Sequence, residues 1–291
     1  MKDKESVRLA IIGNPLSHSL SPVLHEFLLQ ELGMDGNYLA HEIYEEALGA
    51  TLQDFEENGV TGFNVTIPFK QRIMQSLDVV EHAARVIGAV NTVRCQDDKL
   101  FGYNTDGIGF VRSLTNKGVQ IGNRSAVVLG AGGAARAVVF GLIQQRVEKI
   151  SVCNRTLSRA EALVREMRAT TGFEAIAACA IQERDVLASL VEDSILVNTT
   201  SLGMWPDTRA LPFEIRSEAA KMIVVDLVYN PLETRFLQLA RQMGATAIDG
   251  LDMFIFQGLA ALQIWLQRPV KIKHEIIRTF LIGKLENYGT H

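Results

Sequence analysis

One short segment limits the possible folds of this chain more than any other. Residues Ser125 to Leu129 are almost wholly apolar and run straight into Gly130-Ala131-Gly132-Gly133-Ala134-Ala135. A short apolar run closed by glycine reads as a strand buried on both faces. The G-x-G-x-x-A pattern then opens an alanine-rich helix expected over 134–145. Gly130 permits the tight turn, Gly132 lets the backbone approach a pyrophosphate, and Ala135 lets helix and strand pack closely. The unpaired N–H groups at the helix start, with the helix dipole, suit an anion. The bland alternative is a Gly-rich turn in a sheet protein that binds no nucleotide.

Around this unit, apolar strand-like runs alternate with helical patterns. Strands are expected at 7–13, 37–43, 62–67, 89–94 and 100–103, with helices at 22–32, 45–58, 69–76, 79–87 and 106–119. The alternation continues with strands at 149–153, 174–178, 195–198, 222–227 and 245–248. Ser158 is expected to open a helix with Glu161 completing a capping box, and 250–291 reads as helical. This order implies an α/β fold with mostly parallel sheets. No long linker interrupts it, and 106–119 is the best candidate for a domain boundary.

The remaining composition excludes several classes. With 47% apolar and 21% charged residues, 291 residues supply one large or two medium globular domains. A net charge of −4 disfavours general nucleic-acid binding, which needs clustered cations. Cys95, Cys153 and Cys179 are odd in number and have no C-x-x-C spacing. Neither a disulfide framework nor a metal site is therefore expected, and a reducing compartment is. The longest uncharged stretch, 253–267, is too short to span a membrane. No export signal is read at the start, so a cytoplasmic protein is expected.

The strand expected at 149–153 ends in Asn154-Arg155-Thr156, followed by Ser158 and Arg159. An NAD site usually places a carboxylate there for the ribose 2′-hydroxyl. Two guanidinium groups instead suit a 2′-phosphate, so NADP is the expected cofactor.

Further motifs carry a resemblance. They are Gly13-Asn-Pro-Leu-Ser-His-Ser19-Leu-Ser21-Pro22, Asn64-Val-Thr66-Ile-Pro-Phe-Lys70 and Gly88-Ala-Val-Asn91-Thr92. After them come Gly102-Tyr-Asn-Thr-Asp106-Gly107, the Gly130 loop, Asn198-Thr199-Thr-Ser201, and Gly250-Leu-Asp-Met253 up to Gln257. In this order the chain resembles shikimate dehydrogenases of the aromatic amino-acid pathway over nearly its whole length. The resemblance implies a substrate domain of 1–105 plus 251–291, with a Rossmann-type NADP domain of 106–250 and a cleft between them. It implies reversible reduction of 3-dehydroshikimate to shikimate with NADPH. Lys70 and Asp106 would be the catalytic pair. Ser19, Ser21, Asn64, Thr66, Asn91, Tyr229 and Gln257 would bind substrate. Gly130, Ala131, Gly132, Gly133, Ala134, Asn154, Arg155, Thr156, Arg159, Thr199, Leu227, Gly250 and Met253 would hold the cofactor. The partners would be small molecules, with no metal, nucleic acid or membrane, and the chain a monomer or homodimer. The family often has Asn where Glu26 stands, so no role is carried to that position.

The chemistry agrees with the residue types. Reducing a ketone takes a hydride from the cofactor and a proton at oxygen. Lys70, with three donors and a compact charge, can supply or stabilise the second; by local sequence alone it is a surface lysine starting a helix. Asp106 could orient it and equally could start a helix. Ser19 and Ser21 flank Leu20, so in an extended stretch both hydroxyls face one way, and Ser21-Pro22 is also a good helix start. His18 and His25 read as packed or exposed rather than catalytic. The alternative within this chemistry is a quinate/shikimate dehydrogenase with broader substrate or NAD use. Outside it stand a non-catalytic binder and another NADP dehydrogenase, for instance one acting on folates.

Overall fold

Strand assignment follows the apolar runs. The computed structural model describes residues 7–182, 186, 190–214 and 221–288. The chain forms two units, Met1–Thr105 with Gln257–Gly283, and Asp106–Phe256 with Lys284–His291.

The first unit contains β1 (Val7–Gly13), α1 (Ser21–Glu31), β2 (Gly36–Glu42) and α2 (Leu48–Glu57). Next come β3 (Gly62–Val65), β4 (Val79–Val80), α3 (His82–Ile87), β5 (Thr92–Gln96) and β6 (Lys99–Tyr103). Its sheet runs β2-β1-β3-β5-β6-β4. β1 pairs in parallel with β2 and β3, whereas β3–β5 and β5–β6 are antiparallel. Asp97 and Asp98, both with positive φ, make the two-residue loop from β5 to β6. Ala10, Ile12, Phe63, Val65, Phe69 and Val93 form the core on one face.

The second unit begins with α4 (Asp106–Asn116), β7 (Ser125–Leu129), α5 (Gly133–Gln144), β8 (Lys149–Asn154) and α6 (Leu157–Thr171). It continues through β9 (Ile176–Ala180), β10 (Ile195–Asn198), β11 (Ile223–Asp226), α7 (Arg235–Gln242) and β12 (Thr246–Ile248). The sheet order is β12-β11-β10-β7-β8-β9, with every pairing parallel. This is the doubly wound dinucleotide-binding order, whose direction reverses at β7. Alternate β7 residues serve opposite cores. Ala126 and Val128 meet Val138, Leu142 and Leu163, while Val127 and Leu129 meet Phe236 and Leu237. Burial on both faces explains why the strand shows no polar alternation. The chain ends with α8 (Leu251–Leu266) and α9 (His274–Tyr288).

Five expectations change. The helix expected at 69–76 is a turn followed by a 3-10 helix, Arg72–Ser76. The helix expected at 79–87 is a strand followed by a shorter helix. The Glu81 carboxylate accepts the N–H groups of Ala83 and Ala84, so the helix starts after it. Val79 and Val80 pair with β6 instead. The helix expected at 45–58 opens with a separate 3-10 turn, Glu45–Ala47. The Ser158 capping box does not form, because α6 already starts at Leu157 with Thr156 as its N-cap residue. Cys153 and Cys179 are bonded to each other. β8 and β9 pair with Cys153 opposite Cys179, which puts their Cα atoms 4.7 Å apart. Spacing along the chain shows only local pairs, whereas strand register makes this one. Cys95 remains a thiol, pushed up to about 12 by burial.

Candidate active-site residues

In the second unit the nucleotide loop leaves the C-terminal end of β7. Gly130 has φ +114°, a left-handed conformation that favours glycine. Its N–H donates to the Cys153 carbonyl at 2.8 Å, tying the loop to the end of β8. The N-cap of α5 is Gly132, in extended backbone, and no side chain caps the helix. An anion can therefore take the N–H groups of the first turn, with Ala131, Gly133 and Ala134 beside it. Thr199 follows β10, the neighbouring strand. Its N–H and Oγ1 both donate to the Leu129 carbonyl, at 2.9 and 2.7 Å.

The end of β8 makes a second anion-compatible place. Asn154 Nδ2 donates to the Thr156 carbonyl at 2.9 Å and shapes the turn. No side chain caps α6, and Arg155 and Arg159 are exposed at its start. Cations at a helix N-terminus are mildly unfavourable unless an anion joins them. Leu227 and Gly250 meet further along the same sheet end, where a Cβ on Gly250 would run into the Leu227 carbonyl. Met253 is buried in the core beside Leu227, and Tyr229 stacks on Phe254 at 4.6 Å. A dinucleotide fits these residues.

In the first unit the expected substrate residues gather after β1, in and after β3, and just before β5, whose start lies beside the end of β3 because the two strands are antiparallel. Ser19 and Ser21 follow β1, but not in extended backbone. Ser21 N–H donates to Ser19 Oγ at 3.3 Å, so Ser19 serves the start of α1. Thr66 N–H donates to the Ile12 carbonyl at 3.0 Å, placing the β3 end beside β1. Thr66 to Phe69 then form a turn closed by Phe69 N–H to the Thr66 carbonyl. Lys70 comes next, half-buried, its carbonyl accepting from Val90 N–H at 2.7 Å. Asn64 and Asn91 are brought together, with Asn64 Nδ2 donating to the Asn91 carbonyl at 3.0 Å. Gln257 is half-buried on α8 in this unit. Asp106, buried, is the first residue of α4 and of the second unit.

Sequence reasoning passed over three groups. Tyr38 and Thr92 share the Asn64–Asn91 hydrogen-bond network. Asp226 at the end of β11 accepts from Asn198, Val228 and Thr234. A carboxylate closing an apolar strand was the available signal for Asp226. Lys117 pairs with the buried Asp252 at 3.1 Å, linking the end of α4 to the start of α8. His25 is wholly buried against Tyr38 and Trp265, and burial pushes its imidazole down to about 3. It is a packed histidine. Among the described residues, no group of three or more His, Cys, Asp or Glu could hold a metal. Among them also, no helix is long and apolar enough to cross a membrane.

Two family profiles match this chain. The shikimate dehydrogenase substrate binding domain matches residues 11–93, and the shikimate/quinate 5-dehydrogenase profile matches 113–227. A shikimate dehydrogenase (NADP(+)) from Bacillus subtilis is 40% identical over 276 residues, covering 94% of this chain and 96% of the relative. A crystal structure of a shikimate dehydrogenase in complex with NADP+ superposes with a TM-score of 0.88 at 36% identity, covering 98% of each chain. The Thermus thermophilus shikimate 5-dehydrogenase, solved with NADP(H) and shikimate, superposes at 0.80 with 35% identity, covering 94% of this chain and 98% of that one.

Proposed function

The chain belongs to the shikimate dehydrogenase family, and from that premise we propose that it interconverts 3-dehydroshikimate and shikimate with NADP(H). The observation that carries the reading is the uncapped start of α5 behind Gly130, next to the Arg155 and Arg159 pair at the end of β8. The first suits a pyrophosphate and the second a 2′-phosphate.

NADPH, when bound, supplies the hydride. Gly130 to Ala134 hold its pyrophosphate side, with Thr199 beside them fixing the Leu129 carbonyl at the base of the loop, and Asn154, Arg155, Thr156 and Arg159 hold its phosphorylated ribose. Leu227, Gly250 and Met253 line its nicotinamide end. Ser19 and Ser21 hold the substrate carboxylate through their hydroxyls. Thr66, Asn91, Tyr229 and Gln257 orient the ring hydroxyls. Lys70 donates a proton to the carbonyl oxygen as it is reduced and takes it back in the reverse direction, and Asp106 orients the ammonium. The enzyme works in the cytoplasm as a monomer or homodimer.

Steady-state kinetics with NADP+ and NAD+, each with shikimate and quinate, test this reading. We expect the highest kcat/KM for shikimate with NADP+. Equal use of quinate, or preference for NAD+, would place the chain with quinate/shikimate dehydrogenases. Lys70→Ala should lower kcat by at least ~100-fold, the scale of a general-acid contribution, with a much smaller change in shikimate affinity. A variant with near-normal turnover removes Lys70 from the chemistry.

A further inference from the structure

The Asn64 side chain is committed within the protein. Its Oδ1 accepts the Tyr38 hydroxyl at 2.7 Å. Its Nδ2 donates to the Asn91 carbonyl at 3.0 Å and to Thr92 Oγ1 at 3.2 Å, so both amide hydrogens have acceptors. Turning the amide over would set its oxygen against the Asn91 carbonyl. Through the side chains the network continues in one direction, and the Thr105 backbone N–H closes it by donating back to Asn91. Thr92 Oγ1 donates to Asn91 Oδ1 at 3.0 Å. The same Oδ1 accepts the Thr105 backbone N–H at 2.8 Å, and Asn91 Nδ2 donates to Thr105 Oγ1 at 2.9 Å. Tyr38, Asn64, Asn91, Thr92 and Thr105 are all at most 5% exposed. Thr105 is the residue immediately before Asp106.

The start of this relay is itself held. The His25 ring stacks on Tyr38 at 4.5 Å with an interplanar angle of 9°. Trp265 packs against both rings, and its Nε1 donates to the Val93 carbonyl at 2.8 Å. The aromatic clamp aims the Tyr38 hydroxyl, while β3 and β5 carry the next links.

We propose that Tyr38 is a positioning residue: its hydroxyl sets the Asn64 amide, and the relay through Thr92 and Asn91 holds Thr105, and with it the entry to α4, which Asp106 opens. The inference rests on the reading that Asn91 and Asp106 serve the substrate. Asn64 is thereby assigned to support of Asn91 rather than to substrate contact. Each link fixes the orientation of the next buried side chain, so a break at one end loosens the Asn91 amide whose Oδ1 accepts the Thr105 N–H.

The test compares wild type, Tyr38→Phe, Thr92→Val and the double variant. Tyr38→Phe keeps the stacked ring and removes only the hydroxyl. Wild-type turnover of shikimate with NADP+ is measured first, and its absence overturns the functional reading. For Tyr38→Phe we expect kcat/KM for shikimate to fall about five- to tenfold, the scale of one hydrogen bond, with KM for NADP+ unchanged. Exchange of the Thr105 amide proton, followed by NMR with no substrate present, should quicken by a similar factor. Because the variants act on one relay, the double variant should lose less than the product of the single effects. Unchanged Thr105 exchange in Tyr38→Phe overturns the inference whatever the substrate proves to be. A lowered melting temperature with kcat and shikimate KM unchanged also overturns it, because Tyr38 would then be merely structural.

Discussion

Asp226 is completely buried at the end of β11 and accepts three hydrogen bonds, from Asn198 Nδ2, Val228 N–H and Thr234 Oγ1. Burial pushes its carboxyl up from 3.8 to about 6, and the three donors pull less strongly the other way. The folded state therefore holds this proton more tightly than the unfolded state does. Its contribution to stability is greatest below pH 3.8 and is lost as pH rises through about 6. Two pKa units correspond to ~3 kcal/mol. His25 tilts stability in the opposite sense: its ring stays neutral down to about 3, so stability falls as pH drops below 6.5. Asp226→Asn keeps an acceptor for Asn198 and Val228 and removes the titration. Urea denaturation across pH 4–7 should show the variant gaining on wild type by ~3 kcal/mol as pH rises. A constant difference would mean that Asp226 does not titrate in this range. Asp226 and Tyr38 were both in view in the sequence, but Asn198, which joins Asp226, and Asn64, which accepts from Tyr38, lie on other strands. Residue type marks a polar group without showing whether it faces ligand or protein.

α8 begins directly on the loop that follows β11. Gly250 N–H donates to the Val228 carbonyl at 3.3 Å, and a Cβ at Gly250 would lie inside van der Waals contact of the Leu227 carbonyl. Backbone does not yield as a flexible side chain does, so Gly250→Ala should cost about 1–3 kcal/mol by overpacking. At about 2–4 °C per kcal/mol for a unit of this size, calorimetry should show the loss as a lowered melting temperature. NADP+ binding should weaken as well, since the contact displaces the Leu227 carbonyl at the proposed nicotinamide end. A variant matching wild type in both would show that α8 can shift without loss. Strong local signals placed β1, β7, β10 and α5 close to where the sequence put them. Weak signals failed where tertiary pairing decided. Val79 and Val80 fit a helical pattern locally, but β6 offers them backbone partners and Glu81 starts the helix later.

The whole chain carries a net charge of −4 and is read as handling two anionic ligands, so binding rests on local groups rather than on overall charge. The uncapped α5, Arg155 and Arg159 lie in the second unit, while Lys70, Ser19 and Ser21 lie in the first. Each unit has its own buried core. A ligand held by one unit stabilises that unit by mass action, about 2.7 kcal/mol at a hundred times Kd. Scanning calorimetry should therefore show NADP+ raising the transition of the second unit. A cofactor that moved no transition would argue against the assignment of Gly130 to Ala134 and Arg155. The sequence by itself determined the α/β class, the nucleotide strand and loop, the order of the motifs and the family they belong to. Periodicity, glycine placement and short motifs are local properties that survive in one dimension. Only the tertiary structure decided that Cys153 meets Cys179, that Ser19 serves the start of α1, that Asp226 is buried among donors and that Asn64 spends its amide inside the protein. The Cys153–Cys179, Asp226–Asn198 and Asn64–Asn91 contacts depend on strand register and burial, which bring together residues that local spacing does not relate, while the Ser19 contact depends on the chain leaving extended backbone just before α1.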